Sequence, residues 1–178
     1  MALELNGTTG VSLVQDGVVT AADLASGAIT SAALPLGSVL QMVSNDNTTS
    51  ITHSNTGYTD VVSLSITPTT SGNKLYIIGD VNFLIINTNQ SAYYPYGQYR
   101  FDIGGSATSV FQIYGNRFDA DERQSHQNTM THFHTVTSGQ AGTSITVKVE
   151  GRREASNPTT FMSNPYSPSR LTVIEVAQ

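Results

Sequence analysis

The sequence has 178 residues, enough for one ordinary domain and a short appendage. Charged residues make up only 12%, against roughly 25% in an average soluble domain, and Ser, Thr, Asn, Gln and Gly supply the polar balance. Such residues disfavour helix interiors, so the composition predicts an all-β protein. The absence of cysteine excludes disulfides and thiolate metal sites.

The net charge of −5 at pH 7 is unevenly distributed. Residues 1–73 hold five acids and no base, whereas residues 74–178 hold eight of each. Neither part offers the basic stripe that nucleic acid binding needs. No apolar run is long enough to insert into a bilayer, and the N-terminus lacks the pattern of a secretory signal.

Residues 1–15 form the first predicted segment. Apolar residues alternate loosely there around an Asn6-Gly7 turn signal. The segment is too short for a domain, so we expect an attachment segment, either a docking peptide or a strand added to a partner's sheet.

Residues 16–37 contain a ten-residue repeat. The stretch GVVTAADLA at 17–25 is followed by GAITSAALP at 27–35. Two copies cannot bury a core within one chain. They fit a short extended stalk in which identical chains wrap a common axis, where four side chains meet their symmetry mates: Val19, Leu24, Ile29 and Leu34. A flexible linker is the alternative, although a linker has no reason to keep Val/Ile and Leu in register.

From residue 38 to residue 178 the pattern changes to period-2 runs separated by turn residues, which predicts strands. The predicted strands are 38–44, 49–54, 60–67, 73–87, 97–104, 107–114, 128–137, 143–151 and 169–177. About nine strands at this spacing predict a jelly-roll-like antiparallel β-sandwich head. Two stretches break the pattern. The polar stretch 116–127 is predicted as a loop or one short helical turn, and the proline-rich stretch 156–169 as a long ordered loop.

The repeat resembles the stalk of many bacteriophage tail-fibre and other virion proteins. Glycine, a small apolar residue, Val or Ile, and Thr recur there, followed by Ala and Leu. The stretches VVSLSITP at 61–68, NKLYI at 73–77 and YSPSRLTVIE at 166–175 are also similar to phage fibre heads. The resemblance implies a homotrimer on the virion that binds other virion proteins with its N-terminal segment. It also implies a head that binds a glycan or protein of the host surface.

His132 and His134 are the sharpest local pattern in the head. On a strand both imidazoles share one face, and three such pairs near a trimer axis would supply an octahedral shell for a transition metal. Some phage fibre tips resemble this arrangement. Two histidines in a polar environment are the commoner explanation of an isolated pair, so no cofactor is expected and the metal is the minority hypothesis.

Aromatic residues are the candidates for receptor or ligand binding, because a tyrosine offers an apolar face and a hydroxyl at low entropic cost. The candidates are Tyr93, Tyr94, Tyr96, Phe161 and Tyr166. The alternative is that these rings fill the interior of the sandwich or the seam between subunits.

No catalytic motif is present. Acids at 119, 121 and 122 are interleaved with Arg117 and Arg123, which is typical of a solvated loop. The sequence thus predicts a non-enzymatic short tail fibre or baseplate fibre that attaches the virion to the host. The alternative is a capsid decoration or cement protein, or a head fibre, with a purely structural role.

Overall fold

The structure is a computed structural model that describes residues 5–6, 10–11, 34–53, 56–86, 96–108, 110–114, 123–153, 160–164 and 166–178. The chain divides into two compact units, Met1–Pro35 and Leu36–Gln178. The described residues form strands and turns without a helix, and hence without a helix that could span a membrane.

In the first unit the described residues include two short strands that pair antiparallel. Strand β1 (Leu5–Asn6) pairs with β2 (Gly10–Val11), and Leu5 lies opposite Val11. Of the four predicted stalk residues only Leu34 is described, and its side chain is exposed. Val19, Leu24 and Ile29 lie outside the described residues, so the stalk and the division at residue 15 stay predictions.

The second unit consists of eleven strands in the described residues. They are β3 (Val39–Asn47), β4 (Ile51–His53), β5 (Thr59–Ile66), β6 (Lys74–Ile86), β7 (Tyr96–Ile103), β8 (Ser106–Ala107), β9 (Phe111–Tyr114), β10 (Arg123–Thr135), β11 (Ile145–Arg153), β12 (Thr160–Ser163) and β13 (Ser169–Val176). All pair antiparallel, which confirms the predicted fold class.

Two sheets form a sandwich. In the first sheet β3, β13, β6 and β10 are neighbours, with β12 and β4 beside the end of β6. In the second, β5, β11 and β7 are neighbours, with β8 and β9 beside β7. The principal strands pair in a nested order: β3 with β13, β5 with β11, β6 with β10, and β7 with β9. The described strands of the second unit therefore form one long hairpin rolled into two sheets, which is a jelly roll.

The core between the sheets follows from the period-2 pattern. Strand β6 turns Leu75, Ile77, Val81, Phe83 and Ile85 inward, and all five are buried. Strands β11 and β13 add their own alternate apolar residues to the same cluster. Alternation of this kind places the intervening side chains on the outer faces of the sandwich.

Both predicted loops are partly wrong, because each contains a strand. Strand β10 begins at Arg123, so residues 123–127 are strand, and they pair residue by residue with β6. Strand β12 lies within 156–169 and pairs with β6 and β4. Neither segment alternates in hydrophobicity, so the pairing partner, and not the local pattern, sets its conformation. Gly104 and Gly105 form the turn between β7 and β8, and both have positive φ.

A buried carboxylate stabilises one end of the first sheet through hydrogen bonds. The Glu175 carboxylate accepts hydrogen bonds from the Asn73 side chain at 2.8 Å, the Thr69 backbone at 2.8 Å and the Gln41 side chain at 2.6 Å. Burial acts to raise the pKa of Glu175, but these donors outweigh it and the pKa lies below its ordinary value. The charge is thus held by neutral donors and ties β3, β13 and the turn before β6 together.

Candidate interaction surfaces

The two predicted metal ligands lie side by side on β10. His132 is opposite Ile77 and His134 is opposite Leu75, so both imidazoles share the core-facing side of the first sheet. They line a groove of about 390 Å³ at the margin of the sandwich, together with Ile103, Ser106, Ala107 and Thr108. The pair therefore faces the chain's own second sheet.

Hydrogen bonding identifies the ring nitrogen of His134 that donates. The Gln140 side-chain oxygen accepts the Thr137 backbone N–H at 3.0 Å and lies 2.8 Å from His134 Nε2. His134 Nε2 is therefore the donor in this contact. Burial, and secondarily the neighbouring His134, lowers the pKa of His132.

The histidine pair supplies two imidazole nitrogens, fewer than a transition-metal site needs. Within the described ranges no third His, Cys, Asp or Glu joins them. A metal here would require further ligands, for example from another copy of the chain. The metal site stays a prediction.

Phe161 corrects the prediction of an exposed aromatic loop. It is only 1% exposed, and its ring packs against Phe83, Tyr99 and His53. A Cβ on Gly97 would lie 2.2 Å from the Phe161 ring, so the glycine makes room for that ring. Phe161 is a core residue, because its position on β12 places it opposite buried Ile85.

Tyr166 is exposed, as a ligand-binding ring should be. Its side chain is 67% exposed and borders a shallow groove of about 160 Å³ with Thr48, Asn164, Ser167 and Pro168. The Asn164 side chain donates to the Thr49 carbonyl at 2.9 Å, which fixes one wall of this groove. Tyr93 and Tyr94 lie outside the described residues, and of Tyr96 only the backbone, at the start of β7, is described.

A buried cluster that the sequence did not predict joins three strands. His53 Nε2 and the Tyr99 hydroxyl each lie 2.8 Å from the Ser163 hydroxyl. All three residues are at most 2% exposed, and burial lowers the pKa of His53 to about 4. A serine beside a histidine suggests a nucleophile and its base, but a substrate cannot reach this one. Its function is to satisfy polar groups inside the core.

The outer face of the first sheet carries an apolar row. Register places Met42, Ile174, Tyr76 and Phe133 side by side across β3, β13, β6 and β10. Met42 is 66% exposed and Phe133 is 67% exposed, while the Phe133 ring stacks on Tyr76 with 4.6 Å between centroids. In the sequence, a consecutive apolar pair such as Val173-Ile174 indicates a strand that is apolar on both faces, because successive side chains point to opposite faces.

The outer face of the second sheet is charged, and its charges pair within the chain. Arg100 Nε lies 2.7 Å from Glu150, and Lys148 lies 2.9 Å from Asp60. The guanidinium groups of Arg100 and Arg152 lie 3.8 Å and 4.7 Å from the centre of the Tyr58 ring. This face therefore satisfies its own polar groups without a partner.

Comparison with known proteins gives distant structural likeness only. No family model matches the chain, and no curated protein matches it. The subviral particle of infectious bursal disease virus VP2 is similar in structure over 78% of this chain and 38% of that one, with 12% identity and a TM-score of 0.32. The structure of the Gx strain of the same virus matches 78% of this chain and 37% of that one, with 14% identity and a TM-score of 0.33. The chain thus spans under two fifths of these proteins, and scores this low carry no information on function.

Proposed function

We propose that this chain is a structural virion protein, a short tail fibre or baseplate fibre that attaches the particle to the host surface through its jelly-roll head. The N-terminal segment docks to other virion proteins, and the chains assemble as a homotrimer through the repeat and the head. The repeat at 17–35 and the final strand, which lies between β3 and β6, are the features that resemble such proteins.

One structural observation carries the proposal, the exposed apolar face of the first sheet. Soluble monomers rarely expose a contiguous apolar patch of more than a few hundred Å², and larger patches mark sites of protein contact. A head that pairs its charges on one face and exposes Met42 and Phe133 on the other is suited to assembly. Jelly rolls host many functions, so this surface supports the proposal more than the fold does.

The proposal includes a non-enzymatic role. The hydrogen-bonded pair of Ser163 and His53 is buried in the core. Catalysis needs groups that contact substrate in an accessible cleft. The acids at 119, 121 and 122 lie outside the described residues.

The receptor contact is assigned to the aromatic candidates that remain, Tyr166 with Tyr93, Tyr94 and Tyr96. Tyr166 supports this role because its ring is exposed beside a shallow groove with polar walls. A sugar ring can stack on such a phenol while side-chain amides and hydroxyls bind its hydroxyl groups.

The test is to label virus particles with an antibody raised against this chain and to measure adsorption to host cells in its presence. We expect label on the tail or baseplate and reduced adsorption. Particles that carry no label would contradict a virion role. An unrelated antibody of the same class is the control.

A capsid decoration or cement protein is the second candidate. The exposed apolar face also favours it, because a sheet face can brace a neighbouring subunit as well as a copy of the same chain. Label over the capsid shell, with adsorption unchanged, would support this candidate and contradict the fibre.

A further inference from the structure

We infer that the apolar row of Met42, Ile174, Tyr76 and Phe133 is the seam at which copies of this chain pack in the head. The inference deepens the proposed function, since it rests on the proposed homo-oligomer and assigns its contact surface. It concerns the outer face of the first sheet alone.

The extent of the apolar surface fits a subunit interface. Val39, opposite Val176 on the same face, is 61% exposed, so the apolar surface continues beyond the row. Met42 on β3 and Phe133 on β10 are each about two thirds exposed, so the apolar surface reaches across all four strands. Contiguous apolar surface of this kind marks sites of protein contact.

The charge of the face favours a second copy over a charged partner. Around the row the face carries Asp46, Arg170, Asp80 and Lys74, two of each sign. Arg170 binds Asp46 with two hydrogen bonds, at 2.7 Å and 2.8 Å. Two such faces meet without net repulsion, whereas the whole chain carries −5.

The location of exposed apolar residues also favours self-association. The described residues expose seven large hydrophobic side chains, and three of them, Val39, Met42 and Phe133, lie on this face. A fourth, Leu36, precedes β3 next to Gly37, which donates a backbone hydrogen bond to Ala177 at 2.9 Å. The apolar face therefore extends to the first residues of the second unit.

The test compares the full-length chain with the double variant Met42→Thr/Phe133→Thr by sedimentation over a range of concentrations. Threonine suits a strand, and both side chains are largely exposed, so the fold should persist. We expect the dissociation constant of the oligomer to rise about 100-fold. Tyr166→Thr is the matched control, because Tyr166 has the same 67% exposure away from this face and should leave the constant unchanged. Each single variant is measured as well, so the result does not depend on the double variant folding.

The outcomes separate this inference from the proposed function. If the wild-type chain assembles and the double variant assembles equally well, the seam is overturned while the homo-oligomer stands. If the wild-type chain stays monomeric at high concentration, the homo-oligomer fails and the seam with it. If residues 12–33 of the same chain cover the face instead, the double variant keeps its mass and is cleaved faster within that segment, which also overturns the seam.

Discussion

The two outer faces of the sandwich differ in whether their side chains find partners within the chain. On the second sheet, charged side chains find partners inside the chain, as Arg100 and Glu150 do at 2.7 Å. On the first sheet, Met42 and Phe133 expose apolar surface that nothing in the described residues covers. The difference indicates that the outer face of the second sheet needs no partner, whereas the outer face of the first sheet is suited to contact with another protein surface.

The difference between the two faces arises from the residues at the outward positions of otherwise similar strands. Strand β11 alternates buried apolar residues with Lys148, Glu150 and Arg152, whereas β13 alternates them with Thr172, Ile174 and Val176. Both strands are central in their sheets, so the backbone does not explain the difference. The side chains at outward positions decide which face meets water.

The largest expected effect comes from disturbing the core that both faces share. Gly97→Ala places a Cβ 2.2 Å from the Phe161 ring, which has no free space to move into. We expect the free energy of unfolding to fall by about 3 kcal/mol, as for severe overpacking. Denaturant titration measures the loss. Gly139→Ala is the control, since nothing lies within 4 Å of its added Cβ, and an equal loss there would contradict this account.

A second prediction concerns pH. Unfolded His53 binds a proton near pH 6.5, but the folded state keeps it neutral down to about pH 4. The contribution of His53 to stability is therefore complete above pH 6.5. It is lost as the pH falls towards 4, by about 3 kcal/mol in total. Denaturant titrations at several pH values should show this slope.

His53→Leu provides the comparison for the pH prediction. In this variant the slope between pH 6.5 and 4 should flatten, apart from the smaller effect of His132, whose pKa is lowered in the same direction. Folding lowers the pKa of Glu175, so this group adds a loss of stability only below about pH 4.5, its ordinary pKa. An unchanged slope in His53→Leu would show that other groups cause the acid sensitivity.

A third and smaller effect tests the charged face directly. Glu150→Gln removes the ion pair with Arg100, whose side chains are 12% and 26% exposed, and should cost about 1 kcal/mol of stability. The mass of the protein in solution should not change, because this face has no proposed partner. Asp46→Asn, in the more exposed pair with Arg170, should cost less. A Glu150→Gln variant that dissociates would break the distinction between the two faces.

Much of the fold could be predicted from hydrophobic alternation alone. The strands β5, β6, β11 and β13 were predicted within about two residues, because each buries alternate apolar side chains. The first residues of β10 could not be predicted, since Arg123–Gln127 is polar throughout. That segment is a strand because the long β6 offers it backbone partners.

The candidate sites were less predictable than the fold. His53 and Ser163 are far apart in sequence, and only the pairing of β12 with β4 brings them together. Phe161 lies in the proline-rich stretch 156–169, which has no alternation, and its burial depends on the space above Gly97 in another strand. The apolar row needs the register of four strands, which no local pattern contains.

The most direct test of the central claim is the reactivity of a thiol placed on the apolar face. The chain has no cysteine, so Met42→Cys introduces a unique thiol whose maleimide labelling rate reports its accessibility. We predict that labelling slows at least about tenfold as the protein concentration rises from nanomolar to tens of micromolar, because copies cover the face. Tyr166→Cys should label at one rate throughout. A Met42→Cys rate that is equally independent of concentration would contradict the claim that this face is where the chains meet.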